Sequence, residues 1–122
     1  LRLRKGGIME GCIFCRIIAG EAAAEFLYED ENVVAFRDIN PQAPVHFLVV
    51  SREHIGSALE SGARDGRLLA SVFEAAASVS EAEDISSSGV RIVTNAGRAA
   101  GQEVPHLHFH VLGGRMMSWP PG

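Results

Sequence analysis

With 122 residues, 47% of them hydrophobic and 21% charged, the chain is the size of one globular domain and can bury a substantial core. A formal net charge of −4, from 11 basic and 15 acidic residues, argues against a nonspecific nucleic-acid binder but not against a small anionic ligand held by local donors. No apolar run approaches the roughly 18–20 residues that span a membrane, and residues 1–7 are basic with no apolar run or cleavage site behind them, so the expectation is a cytoplasmic protein with neither membrane nor nucleic acid as partner.

Residues 1–8 read as an extension or expression remnant before Met9, and residues 9–122 as a single domain. In chain order, residues 13–19 predict a short helix, with Ile13, Phe14, Ile17 and Ile18 at helical spacing and Gly20 as its stop. Phe26–Glu29 and residues 33–38 predict two strands joined by the polar turn Asp30-Glu31-Asn32. Two prolines make Asn40-Pro41-Gln42-Ala43-Pro44 a loop. Val45–Ser51 predicts a buried central strand, and His54 just beyond it reads as a surface or capping residue. Residues 64–83 carry Leu68, Leu69, Val72, Phe73, Ala76 and Val79 at spacings of three and four, which predicts one long amphipathic helix. A turn at 86–89, a strand at 90–94 and a Gly/Ala-rich loop at 95–101 follow. The pattern predicts an α+β domain: an antiparallel sheet of about five strands with one long helix packed on it.

The last predicted strand, residues 106–112, holds three of the five histidines in strict alternation with Leu107, Phe109 and Val111. Alternation on a strand puts the imidazoles on one face and the apolar residues on the other. Such a row suits a metal site, a nucleophilic imidazole with helpers, or a half-buried polar face whose rings only satisfy hydrogen bonds. Three buried imidazoles each need a partner for an N–H, which disfavours the last of these. The preceding loop brings Gly97 and Gly101, which allow close backbone approach, and the amides of Asn95 and Gln102, a combination that suits a phosphate. Cys12-Ile13-Phe14-Cys15 reads as a redox dithiol, a pair of structural thiols or half of a zinc site. No strand precedes the pair, which disfavours the redox reading.

Gln102-Glu103-Val104-Pro105-His106-Leu107-His108-Phe109-His110-Val111-Leu112-Gly113-Gly114-Arg115 resembles the signature of the histidine triad superfamily. Ser118-Trp119-Pro120-Pro121-Gly122 resembles the tail of its nucleotide-binding, Hint-like branch. The cysteine segment, Asp38-Ile39-Asn40-Pro41-Gln42-Ala43-Pro44 and His46-Phe47-Leu48-Val49-Val50 are similar to the same branch, so the likeness runs from about residue 12 to the C-terminus.

The resemblance implies a hydrolase of purine nucleoside 5′-phosphoramidates, acting through a nucleotidyl-histidine intermediate without a catalytic metal. It implies His108 as nucleophile and His110 as a phosphate contact that helps protonate the leaving amine. Asn95, Gln102 and the backbone of Gly101 and Glu103 would hold the phosphate. Glu103 departs from members with a small hydroxyl residue at that position, which leaves only its backbone donor. Asp38 would bind the ribose hydroxyls, and Ile13, Phe14, Ile17, Phe36 and Ile39 the base, while Arg37 is expected to be solvated. It further implies structural Zn²⁺ on Cys12, Cys15, His46 and His106. A homodimer is implied as well, with the sheet continued across two chains and the tail, with Trp119, packed near the partner's site. An unstructured tail is the alternative. Competing functions are a dinucleoside polyphosphate hydrolase, a nucleotide-binding scaffold whose turnover is incidental, and a metallohydrolase using the histidine row as ligands.

Overall fold

The computed structural model describes residues 3–4, 8–9 and 11–122. Leu3–Arg4 (β1) and Ile8–Met9 (β2) form a short antiparallel pair, Leu3 opposite Met9. The expected boundary between residues 8 and 9 falls within this pair, and the rest of the supposed extension lies outside the described residues.

Helix α1 spans Ile13–Ile18. The Cys12 sulfur caps it by accepting from the Cys15 N–H at 3.5 Å, and the chain leaves it through Gly20 at φ +79°, where a side chain would be strained. Five strands follow: β3 (Phe26–Glu29), β4 (Val33–Arg37), β5 (Val45–Ser51), β6 (Val90–Val93) and β7 (His108–Gly113). They make one antiparallel sheet in the order β3-β4-β5-β7-β6. The long helix α2 runs Gly66–Ala82, with Asp65 as its N-cap, accepting from the Arg67 N–H at 2.8 Å. This is the α+β architecture the pattern predicts.

The central strands are buried on both faces. Toward α2, Val33, Ala35, Phe47, Val49, Leu107, Phe109 and Val111 meet Leu68, Val72, Ala75, Ala76 and Val79. The other face carries Val34, Phe36, Leu48 and Val50 against Cys12, Phe14, Cys15 and Ile17 of the α1 segment. That second face also carries His46 on β5 and His108 and His110 on β7, because period-2 alternation sends them opposite to their apolar neighbours. β7 starts two residues later than predicted: His106 lies in a bend whose backbone N–H donates to the Val104 carbonyl at 2.8 Å. Among the described residues, no helix is long and apolar enough to cross a membrane.

Candidate functional site

Register sets the site. Leu48 pairs with His110 and Val50 with His108, so β5 and β7 present one continuous surface to α1. His106 and His108 are buried and His110 is half-buried. The His108 and His110 rings lie 5.1 Å apart, and Phe14 of α1 meets His108 edge-on at 5.0 Å. His108 Nδ1 lies 2.6 Å from the His106 carbonyl oxygen. A carbonyl only accepts, so Nδ1 carries the proton and Nε2 keeps its lone pair. Burial pushes the His108 pKa below its ordinary value, more than the His106 carbonyl and the Asp38 charge raise it. The ring is therefore neutral at pH 7, the form in which an imidazole is a nucleophile.

A cavity of about 580 Å³ opens over this surface. That is within the range for small-molecule sites, roughly 300–1,000 Å³. Ile13, Phe14, Ile17, Phe36, Asp38 and Ile39 line it together with His108, His110, Asn95, Gly101 and Glu103. The residues expected at the nucleoside and phosphate ends thus share one cavity, with the exception of Gln102. Its amide is spent inside the loop: Oε1 accepts from the Gly97 N–H at 2.8 Å, and Nε2 donates to the carbonyls of Gly56 (2.7 Å) and Val104 (3.0 Å). Gln102 is therefore a brace for the turn that presents its neighbours, not a donor into the cavity. Gly97 (φ +91°) and Gly101 (φ +87°) give this turn its shape. Arg37 is not solvated alone; it pairs with Glu25 at 2.7 Å and with Glu83, which lifts its pKa and lowers that of Glu83.

The cysteine pair gathers a different set of histidines from the one expected. Cys12, Cys15, His54 and His106 bring their donor atoms within 4.8 Å of one another. His106 Nδ1 lies 3.3 Å from the Cys12 sulfur and 3.5 Å from the Cys15 sulfur, and His54 Nδ1 lies 3.4 Å from Cys15. His46 takes no part. It pairs with Leu112, six residues along from His106, which at about 3.3 Å per residue is on the order of 20 Å away. His54 follows the other end of β5, and its ring stacks edge-on to His106 at 4.8 Å. The donor set fits a tetrahedral Zn²⁺ of the Cys₂His₂ kind. His106 Nε2 lies 2.6 Å from the Ser51 carbonyl, so its proton is held there and Nδ1 turns a lone pair to the sulfurs. Burial drives the His106 pKa down to about 4, which keeps this ring a ligand rather than a cation at neutral pH.

His46 belongs to a second group, with Asp38 and His110. Its Nε2 lies 3.3 Å from Asp38 Oδ2 and 3.0 Å from His110 Nδ1. Its Nδ1 accepts the Gln42 backbone N–H at 3.0 Å. The proton of a neutral ring is therefore on Nε2, the atom a metal would need, so this group suits a hydrogen-bond chain and not a cation. The Asp38 carboxylate is turned by its other oxygen, which accepts from the Asn40 N–H at 2.8 Å. Sequence reasoning missed His46 and Gln42 as parts of the cavity wall. The available signal was parity: His46 is an even step from Leu48, which faces His110.

The HIT domain family matches residues 19–117. An uncharacterized HIT-like protein of Synechococcus elongatus is 44% identical over 113 residues, 93% of this chain and 98% of that one. A solved HIT family hydrolase of Legionella pneumophila is 46% identical with a TM-score of 0.87, over 92% of this chain and all of that chain. A HIT family hydrolase of Clostridium thermocellum is 45% identical with a TM-score of 0.86, over 90% and 96%.

Proposed function

The chain belongs to the HIT domain family, with HIT family hydrolases among its solved relatives, and from that premise we propose that it is a nucleotide-binding hydrolase of purine nucleoside 5′-phosphoramidates. The observation that carries the reading is the His108 Nδ1–His106 carbonyl contact of 2.6 Å, which leaves a neutral lone-pair nitrogen on a cavity shared with Asp38.

In this reading, the α-phosphate sits against His108 and His110, held by Asn95 and the backbone N–H groups of Gly101 and Glu103. His108 Nε2 attacks phosphorus while the P–N bond breaks and its electron pair leaves with the amine, which takes up a proton relayed through His110. Water then attacks the nucleotidyl-histidine, releasing AMP and restoring His108. Donors fixed before the reaction stabilise the charge that develops on the phosphoryl oxygens. Asp38 accepts from the 2′- and 3′-hydroxyls, and Phe14, Ile17 and Phe36 pack on the base. Replacing the nucleophile separates binding from chemistry. His108→Ala is expected to abolish AMP release from adenosine 5′-monophosphoramidate while calorimetry still detects AMP binding. Turnover by that variant refutes the assignment.

Structural Zn²⁺ belongs to this reading, on Cys12, Cys15, His54 and His106. Bound there, it cross-links the α1 segment to the entrance of β7 and takes no part in the chemistry. A homodimer, with the protein working in the cytoplasm, belongs to it as well. Phe73 on α2 and Val90 and Ile92 on the edge strand β6 are exposed in the single chain, as surfaces awaiting a second copy would be. Light scattering is expected to give twice the 13.1 kDa chain mass, and a monomer at micromolar concentration counts against it.

A further inference from the structure

His110 can meet a phosphate in two ways. With its proton on Nε2 it offers a donor; with the proton on Nδ1 it offers a lone pair, which an anionic oxygen repels. The choice is made outside the ring. The Gln42 backbone N–H occupies His46 Nδ1 at 3.0 Å, so His46 holds its proton on Nε2. That proton lies between His110 Nδ1 at 3.0 Å and Asp38 Oδ2 at 3.3 Å, and a second proton on His110 Nδ1 would meet it head-on, so His110 Nδ1 is an acceptor. Asp38 Oδ2, 3.9 Å from His110 Nδ1, is too far to draw a proton there. His110 therefore carries its own proton on Nε2.

The first donor in this chain is itself held. Arg115 clasps the Gln42 carbonyl with Nε (3.3 Å) and Nη2 (3.1 Å), and the Gln42 side chain donates to the Asn40 carbonyl at 3.1 Å. Arg115 arrives there because β7 ends at Gly113 and the chain turns at Gly114, φ +90°. A Cβ at Gly114 would sit a tight 3.0 Å from Pro44 Cβ on a backbone that side chains rarely adopt, so glycine suits the close approach of the tail to the 40–44 loop. The strand that carries His110 thus also delivers the guanidinium that steadies the loop controlling it.

We propose that Arg115 and the Gln42 backbone N–H are positioning groups that lock His46 and His110 in their Nε2–H forms, so that His110 shows a donor to a phosphoryl oxygen. The assignment deepens the nucleotide reading and rests on it for the identity of the acceptor. The lock itself has an independent readout.

The test is ¹⁵N NMR of the imidazoles in the full chain, which separates protonated from lone-pair nitrogens ring by ring. In the wild type, both His46 and His110 are expected to carry the proton on Nε2. Arg115 is exposed, so Arg115→Ala leaves the core intact. This variant is expected to populate the Nδ1–H form of His46 and to weaken AMP binding by about three- to tenfold, the worth of one hydrogen bond. Arg115→Lys, with a single-point donor, is expected to fall between. A backbone ester at the 41–42 linkage, which deletes the N–H alone, is expected to have the larger effect on the His46 tautomer. A wild-type His110 protonated on Nδ1 overturns the proposal. So does an Arg115→Ala protein whose tautomers and AMP affinity both match the wild type. Correct tautomers in a protein that binds no AMP would leave the lock standing and sink the nucleotide reading instead.

Discussion

At the residue scale, the two histidines that follow each other along β5 and its exit have opposite duties. His54 turns Nδ1 to the Cys15 sulfur, whereas His46 turns Nε2 to His110 Nδ1. Metal analysis of purified variants separates them: His54→Ala is expected to lose most of the roughly one Zn²⁺ per chain, and His46→Ala to retain it. Equal loss in both would refute the ligand set. The sequence made the triad, the cysteine pair and Asp38 legible, because each is a residue type whose chemistry has few uses at such spacing. The ligand choice was not legible. It depends on which end of β5 lies beside His106, and that is fixed by pairing register, a long-range property that spacing along the chain does not encode. Gln102 was misread for a related reason: an amide beside a glycine turn is equally able to bind a ligand or to brace the turn, and only the carbonyls of Gly56 and Val104 decide it.

At the element scale, the strands and the long helix emerged within a residue or two of their predicted ends, because their burial is periodic. The long helix starts two residues later than predicted because Asp65 is better used as a cap than inside the first turn. The histidine strand is shorter than its alternation suggests. His106 keeps the parity of the row but sits in a bend, where its ring reaches the sulfurs and its carbonyl reaches the His108 ring. A candidate metal ligand and a tautomer-setting carbonyl thus belong to one residue. Phe14, placed between the two cysteines, touches both His106 (5.8 Å) and His108 (5.0 Å), so the short helix contributes to the cysteine–histidine cluster and to the cavity lining together.

At the scale of the whole molecule, acid should find the metal-free protein through its buried imidazoles. His106, with a folded pKa near 4 against an ordinary 6.5, stays neutral where the unfolded chain takes a proton. The unfolded state binds more protons between those values, so stability is intact above about pH 6.5 and falls as the pH drops toward 4. At 1.36 kcal/mol per unit, the loss from this one group approaches about 3 kcal/mol. Burial shifts His46, His54, His108 and His110 in the same direction. Urea midpoints of chelator-treated protein are expected to fall markedly from pH 7 to pH 4.5. A midpoint independent of pH over that interval would contradict the burial of these rings.

The sheet divides its labour by face. Valine, alanine and phenylalanine spread under α2 hold the molecule together, while the imidazoles and carboxylate lie on the reverse. Descendants of such a chain could shed reactivity one side chain at a time and still crystallise in the same shape. Outline and reactivity thus rest on separate sets of side chains.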